Sequence, residues 1–244
     1  METTGYIALT RQGQLRRQMD VIANNLANMN TKGFKAEKMV FVEHLVRSKG
    51  GEEPFNNKVS YSRDIATRRD MAEGQLESTG NPMDLALSGE GFFVLQTEQG
   101  DIYTRNGRFQ LDSTGQLVNQ KGMPVLSDNN QPFFFTPEDG KVSIARDGSV
   151  STRNGNIGKV AVVTFENMQD LRPGADSQFI TEEIPTAVEE PNIIQGMLEQ
   201  SNINPILEMA NMINVQRSYE GVKGFLEKEN ERVQRMVREL AKSV

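Results

Sequence analysis

Few residues in this 244-residue sequence are able to do acid–base, nucleophilic or metal chemistry. The chain has no cysteine and a single histidine, His44, which excludes a thiolate zinc site, a cysteine nucleophile and a multi-histidine metal site. A Ser-His-Asp triad would have to use His44, yet the sequence contains no Gly-x-Ser-x-Gly motif. We therefore expect His44 to be a packed or solvent-facing side chain.

The glycine-rich and acidic motifs also fit structural roles. Gly89-Glu90-Gly91-Phe92 lacks the third glycine and the following helix of a dinucleotide-binding loop, so it predicts a turn before a strand. The pairs Glu182–Glu183 and Glu189–Glu190 lie outside any alternating Asp/Asn–Gly loop, and we expect them to be solvated rather than to bind calcium. These observations predict a protein that is not an enzyme and has no cofactor and no metal site.

The net charge of −6 is unevenly distributed along the chain. Residues 39–201 hold 14 Lys/Arg and 24 Asp/Glu, whereas residues 1–38 hold six and three and residues 202–244 hold seven and six. Nucleic-acid binding requires a basic surface, which this acidic middle does not supply. The sequence contains no run of 18 apolar residues, which a membrane-spanning helix would require. Neither nucleic acid nor membrane insertion is therefore expected.

Both ends of the chain are predicted to be helical. All nine prolines lie between Pro54 and Pro205, and proline breaks helices. Apolar residues recur at intervals of four and three near the N-terminus and every seven residues near the C-terminus, which is the pattern of a coiled-coil seam. The seam residues are Leu15, Met19, Ile22, Leu26 and Met29 in the first helix, and Met212, Tyr219, Leu226, Val233 and Leu240 in the second.

The helix ends and the second seam position follow from local residue types. We expect the first helix to run from about Thr3 to Asn28, and the second to begin at Pro205 with Asn204 as its N-cap. The second seam position of the C-terminal helix is mostly polar, which predicts weak pairing there. Its residues are Met209, Gln216, Lys223, Asn230 and Val237. Glycines inside both helices indicate either tolerated surface positions or close approach by a neighbouring helix; they are Gly5, Gly13, Gly221 and Gly224.

The middle of the chain is predicted to be β-structure. Short apolar runs alternate with turn residues, and dipeptides such as Asn106-Gly107 and Asn154-Gly155 favour tight hairpins. This pattern is typical of an antiparallel sandwich or barrel. The expected strands are 84–88, 91–97, 102–112, 116–119, 123–127, 132–135, 141–145, 148–152 and 159–165.

These patterns together predict an α+β protein with three parts. Residues 1–30 and 202–244 form a helical domain in which the two long helices pair as a coiled coil. Residues 31–75 form an extended linker, because they are polar and fit neither periodicity. Residues 76–201 form an antiparallel all-β domain with enough apolar strands for its own core.

Four sequence blocks resemble the axial proteins of the bacterial flagellum, the family of rod, hook and hook-associated proteins. They occur in the family's order and cover both ends and much of the middle. The blocks are Asn24–Asn28 with Asn30–Lys35, Asn81–Val94, Tyr103–Val118 and Gly196–Glu220.

The resemblance implies a structural subunit of the flagellar rod, located in the basal body and crossing the periplasm. It implies assembly with copies of the chain and with other rod proteins, and export through the flagellar type III apparatus without a cleavable signal. A full β domain without room for an outer domain leaves the proximal and the distal rod subunits. The stretch Leu15–Asp20 and the polar tail Lys228–Arg238 more closely resemble the proximal subunit, with a distal rod subunit or a secreted β-domain binding module as alternatives. The seam residues and Asn25 are the expected assembly contacts.

Overall fold

The computed structural model describes residues 2–47 and 58–242, with side chains described for 5–40 and 66–242. Helix α1 (Glu2–Ala27) opens the chain and helix α2 (Pro205–Lys242) closes it, with β-structure between them. The predicted α+β class is thereby confirmed. The Asn204 side-chain oxygen accepts hydrogen bonds from the backbone amides of Ile206 and Leu207 at 3.2 and 3.3 Å, as expected of an N-cap.

Between the helices, the described residues form strands of 2 to 12 residues and a 3-10 helix at Pro137–Asp139. The strands are β1 (Glu37–Arg47), β2 (Lys58–Arg69), β3 (Leu76–Ser78), β4 (Leu85–Ser88), β5 (Phe92–Thr97), β6 (Gly100–Thr104), β7 (Phe109–Leu111), β8 (Leu117–Asn119), β9 (Ser143–Ile144), β10 (Ser149–Thr152), β11 (Gly155–Lys159), β12 (Val162–Thr164), β13 (Arg172–Pro173), β14 (Gln178–Ile180), β15 (Thr186–Ala187), β16 (Asn192–Gln195) and β17 (Met197–Glu199).

The chain divides into two compact units. The first, which we call the helical unit, contains helices α1 and α2, strand β1 and most of strand β2. Residues 28–36 and 69–203 form the second, the β unit. The β unit therefore includes residues 28–36 and 69–75, which the sequence assigns to the helical end and the linker.

The expected linker at 31–75 contains strands β1 and β2, which pair as a two-stranded sheet. Both strands place valine, isoleucine, tyrosine or threonine among charged residues. The β-branched and aromatic residues favour extended structure. Because the segment is highly charged, a prediction based on apolar runs misses its strands.

The β unit is built around a six-stranded sheet in the order β13-β14-β6-β5-β12-β15, with antiparallel neighbours. Successive side chains of a strand point to opposite faces. Accordingly, Phe92 and Val94 of β5 belong to one buried cluster, whereas Phe93 and Leu95 belong to another. The sheet is thus covered on both faces. The other pairings are β11-β10-β9, β16-β4, β17-β3 and β7-β8.

Some predicted strands differ from the structure. The run 102–112 is split into β6 and β7 by residues 105–108. The runs 123–127 and 132–135 form only isolated bridges, such as Leu126 with Pro132. Pro124 inside the first run and Pro132 at the start of the second have no amide hydrogen to donate to a ladder.

Candidate functional site

The face between the two helices is the first candidate site, because the predicted seam residues lie there. Leu15, Ile22 and Val215 are buried in one cluster of the helical unit. Half-buried residues that pack against this cluster are Met19, Leu26, Met212, Tyr219 and Val222. The structure thus brings six predicted seam residues together between α1 and α2: Leu15, Met19, Ile22, Leu26, Met212 and Tyr219.

The second seam position of α2 differs from the expectation. Val215 and Val222 pack in the cluster, whereas Gln216 and Lys223 are exposed. Positions three and four residues after Met212 lie on the same helix face, so a seven-residue repeat does not choose between them. The apolar residues at the three-residue spacing gain more from burial than their polar neighbours. The predicted polar second position is therefore wrong, and the packed stripe is apolar.

Other predicted seam residues are exposed in the single chain. The exposed fractions of Met29, Val233 and Leu240 are 39%, 42% and 67%, and Leu226 is half-buried. All residues from 230 to 242 are exposed, so the C-terminal part of α2 has an uncovered apolar stripe. A second exposed stripe lies at the other end of α2. The two stripes are Val233, Met236, Val237 and Leu240, and Ile206, Met209 and Ile213.

Asn25, the remaining predicted contact residue, is 1% exposed and bonds to strand β1 of its own chain. Its side-chain nitrogen donates to the Glu37 carbonyl at 2.8 Å, and its side-chain oxygen accepts from the Glu37 amide at 3.0 Å. The amide group thus imitates a backbone partner. Asn25 joins α1 to β1 and is not available at the surface.

The helix glycines face open space in this chain. A Cβ atom at any of the four would meet no heavy atom within 4 Å, apart from the backbone of its own helix; they are Gly5, Gly13, Gly221 and Gly224. No helix in the described part of this chain therefore approaches them closely.

The structure also gives the positions of His44 and of the Gly89–Phe92 motif. His44 lies in β1, and its side chain is outside the described ones. Gly89 and Gly91 have φ angles of 98° and 137°, and the chain continues directly into β5 rather than a helix. Among the described residues, no three His, Cys, Asp or Glu side chains are grouped to hold a metal ion. None of the described helices is long and apolar enough to cross a bilayer.

A second candidate site, the Glu199 cluster of Lys35, Arg105 and Glu199, lies inside the β unit. All three side chains are at most 5% exposed. One Glu199 carboxylate oxygen accepts from the Lys35 ammonium at 2.6 Å and from the Gly74 amide at 2.9 Å. The other lies 3.5 Å from a guanidinium nitrogen of Arg105. Three distant parts of the chain therefore meet at one carboxylate.

Further hydrogen bonds surround the Glu199 cluster. The Lys35 ammonium also donates to the Ala72 carbonyl at 2.8 Å. The Gly33 amide donates to the Glu199 carbonyl at 2.9 Å, and the Asn202 side chain accepts from the Ala36 amide at 2.8 Å. Residues 33–36 therefore run beside residues 199–202.

Gly33 is required by this arrangement. Its φ angle is 67°, in the left-handed region that favours glycine. A Cβ atom there would also overlap the backbone of Arg105 and Asn106. The close approach of residue 33 to the backbone of residues 105–106 thus depends on the absence of a side chain at position 33.

The side chains of the Glu199 cluster are held away from water, which changes the pKa values of its two cations. Burial lowers the pKa of the Lys35 ammonium, and the nearby Glu199 carboxylate opposes that effect. Burial also lowers the pKa of Arg105, again against the attraction of Glu199. Glu199 is thus the carboxylate that most strongly supports the charged form of each cation, with Glu73 contributing less to both.

The sequence gives no role to these three residues, although they lie in the blocks that carry the family resemblance. Lys35 and Glu199 are separated by 164 positions, so no local spacing relates them. The available signal is their charge within short motifs that also contain glycine or asparagine, namely Gly33-Phe34-Lys35 and Glu199-Gln200-Ser201-Asn202.

Comparison with known proteins identifies the family. Three family models match: "Flagella basal body rod protein" at residues 6–35, "Flagellar hook protein FlgE/F/G D1 domain" at 86–157 and "Flagellar basal body rod FlgEFG protein C-terminal" at 194–237. The flagellar basal-body rod protein FlgF of Caulobacter vibrioides is 36% identical over 99% of both chains. The chain belongs to the flagellar basal-body rod protein family.

Other relatives agree with this assignment. FlgF of Mesorhizobium japonicum is 33% identical over 93% of this chain and 92% of the relative. The rod protein FlgG of Buchnera aphidicola subsp. Acyrthosiphon pisum is 32% identical over 83% and 86%. As a member of the rod family, the chain is a structural subunit of the flagellar basal body. The Glu199 cluster uses residues of all three family-model matches, since Lys35, Arg105 and Glu199 each lie in a different one.

Proposed function

We propose that this chain is a proximal rod subunit whose terminal helices pair as a coiled coil and carry the contacts to neighbouring subunits. The observation that supports this role is the exposed apolar stripe at the C-terminal end of α2, which contains Val233 and Leu240. Burial of apolar surface drives most protein association. Helices of neighbouring copies and of other rod proteins would cover this stripe in the rod.

The proposed assembly region is the pair of terminal segments, residues 1–30 and 202–244, and the β-structure within 76–201 is a separately folding domain. In this division, the seam residues that pack in the cluster between α1 and α2 hold the two helices together, and the other seam residues make the contacts between subunits. The first group is Leu15, Met19, Ile22, Leu26, Met212 and Tyr219, and the second is Met29, Leu226, Val233 and Leu240. Asn25 contributes by fixing α1 to β1.

The proposal includes no enzymatic activity and no cofactor. The partners are copies of the chain, other rod proteins and, during secretion, the flagellar type III export apparatus. The similarity to proteins named FlgF over nearly the whole chain supports the proximal position, and the somewhat less extensive similarity to FlgG makes a distal rod subunit the alternative.

The position in the rod is testable by complementation. The gene is introduced into Caulobacter vibrioides cells that lack either their own FlgF or their own FlgG. Restored motility in the first strain alone is expected. Restoration in the strain that lacks FlgG alone would favour the distal position.

The role of the helices is testable with charged and polar substitutions. Ile22→Asp and Leu26→Asp place a charge between α1 and α2, where an unpaired charge is costly. We expect export to continue but rod incorporation to be lost, and normal incorporation of both variants would contradict the proposal.

Val233→Asn tests the exposed stripe, with Gln234→Asn as its control. Only Val233→Asn is expected to reduce incorporation, with unchanged thermal unfolding of the purified chain.

A further inference from the structure

We infer that the Glu199 cluster is a positioning element, which fixes where the two segments that continue into the helices leave the β unit. The first segment, residues 28–36, follows α1, and the second, residues 199–203, precedes α2. The inference rests on the proposed assembly function, since the path of these segments matters when the helices must meet neighbours. Its physical basis is that both segments are tied to one buried carboxylate.

The contacts of Glu199 define position in several directions. Its side chain binds the Lys35 ammonium and the Gly74 amide, and its backbone carbonyl accepts from the Gly33 amide. Arg105 faces the second carboxylate oxygen, and its guanidinium also donates to the Gly89 carbonyl at 2.6 Å. Hydrogen bonds are directional, unlike apolar contacts. Such a set of hydrogen bonds allows one placement of residues 33–36, whereas an apolar contact would allow several.

The cost of burying these charges supports a positioning role. Removing ions from water is expensive, and apolar residues of similar size often give equal or greater stability at such sites. Stability alone would therefore not call for a lysine, an arginine and a glutamate in the interior. A gain in specificity of the chain path would account for them.

A second ion pair on the same segment provides a matched comparison. The Lys32 ammonium lies 2.9 Å from a Glu77 carboxylate oxygen, but the two side chains are 18% and 54% exposed. Exposed ion pairs contribute little because water competes with them. Lys32→Met removes the same functional group three residues away from Lys35 and serves as the control.

The test separates position from stability. Lys35→Met leaves the buried Glu199 carboxylate with Arg105 as its remaining cation, and Glu199→Leu leaves both buried cations without it, so each single variant should melt below the parent chain. The double variant Lys35→Met/Glu199→Leu removes both charges of the closer pair and leaves only Arg105 without its carboxylate, so it should melt above Glu199→Leu. The double variant nevertheless loses the hydrogen bonds to Ala72 and Gly74. We expect the double variant to recover part of the stability lost in Glu199→Leu without recovering the path of the segment.

The path is measured in the purified full chain by a distance between two spin labels. The chain has no cysteine, so Asn30→Cys and Glu98→Cys, both at exposed positions of the β unit, give two unique labelling sites. The parent and the Lys32→Met control should give one narrow distance distribution, and the double variant a distribution at least twice as broad. A double variant with the narrow parental distribution would overturn the inference. This measurement needs no rod, so its failure is distinguishable from failure of the proposed assembly function.

Discussion

Gly107 lies in the Asn106-Gly107 dipeptide, which the sequence predicts as a tight hairpin turn. In the structure neither residue has a positive φ angle. The Gly107 carbonyl instead accepts from the Leu85 amide at 2.9 Å, and a Cβ atom at 107 would overlap the Leu85 carbonyl. The glycine is thus needed for close packing of two backbones.

This explanation gives a prediction that separates packing from backbone strain. Gly107→Ala should cost about 3 kcal/mol of unfolding free energy, because the surrounding backbone must shift. Gly122→Ala should cost only about 1–2 kcal/mol, because its φ angle of 81° is unfavourable for alanine but the space around it is open. Urea unfolding measures both changes, and equal losses would contradict the packing explanation.

Asp139 gives a prediction for the pH dependence of stability. Its carboxylate accepts hydrogen bonds from the Thr136 amide and hydroxyl, and from the side chains of Asn154 and Thr152. These bonds, led by the Thr136 amide, hold the pKa of Asp139 below its ordinary value. Because the folded pKa lies below the unfolded value of about 3.9, the contribution is complete at neutral pH and is lost as pH falls through the folded pKa.

Asp139→Asn removes the ionisable group and should flatten the acid side of the stability profile. We expect the variant to be less stable than the parent at pH 7 and the difference to shrink toward pH 3. Urea unfolding at several pH values measures this difference. Asp128→Asn, at another acidic position of the β unit, is the control. A difference between Asp139→Asn and parent that stays constant with pH would rule out the carboxylate as the cause.

At the scale of elements, the helices could be predicted from the sequence and the polar strands could not. Heptad spacing and the absence of proline are local signals, and Asn204-Pro205 marks the start of α2. Strands β1 and β2 carry the opposite combination, with extended preference and high charge. The Glu199 cluster was beyond reach because its ion pair joins residues 164 positions apart, which only the folded chain brings together.

The register of α2 is testable with adjacent substitutions. Val222 is half-buried against the core of the helical unit, and Lys223 is exposed. Val222→Asp should therefore destabilise the helical unit by about 1–3 kcal/mol, since it places an unpaired polar group among apolar side chains. Lys223→Asp should change stability by less than about 0.5 kcal/mol. Hydrogen exchange of α1 amides measures the effect. A larger loss of stability for Lys223→Asp would instead support the polar second seam position.

At the scale of the whole molecule, the two units do not coincide with continuous stretches of sequence. Residues 28–36 come directly after α1 but belong to the β unit, as do residues 69–75. They supply Lys35 and the Gly74 amide to Glu199, and Arg69, whose guanidinium donates to the Leu171 carbonyl at 2.9 Å. A β domain cut at the sequence-predicted boundary of residue 76 lacks all three.

This difference predicts the behaviour of two fragments. Both 28–203 and 76–201 should fold, because the apolar clusters around the six-stranded sheet lie almost entirely within the shorter one. The shorter fragment should melt about 10 °C lower, since breaking a buried ion pair costs about 3–5 kcal/mol and about 1 kcal/mol shifts the melting temperature of such a domain by about 2–4 °C.

Glu199→Leu turns this comparison into a test of cause. In fragment 76–201 the carboxylate has already lost Lys35 and Gly74, so replacing it with leucine removes only its contact to Arg105 and should lower the melting temperature little. In fragment 28–203 the same substitution leaves both Lys35 and Arg105 without their carboxylate and should lower the melting temperature more. Calorimetry of the four proteins measures both shifts. A substitution that lowers the melting temperature equally in both fragments would show that residues 28–36 stabilise the β unit by contacts other than the one to Glu199.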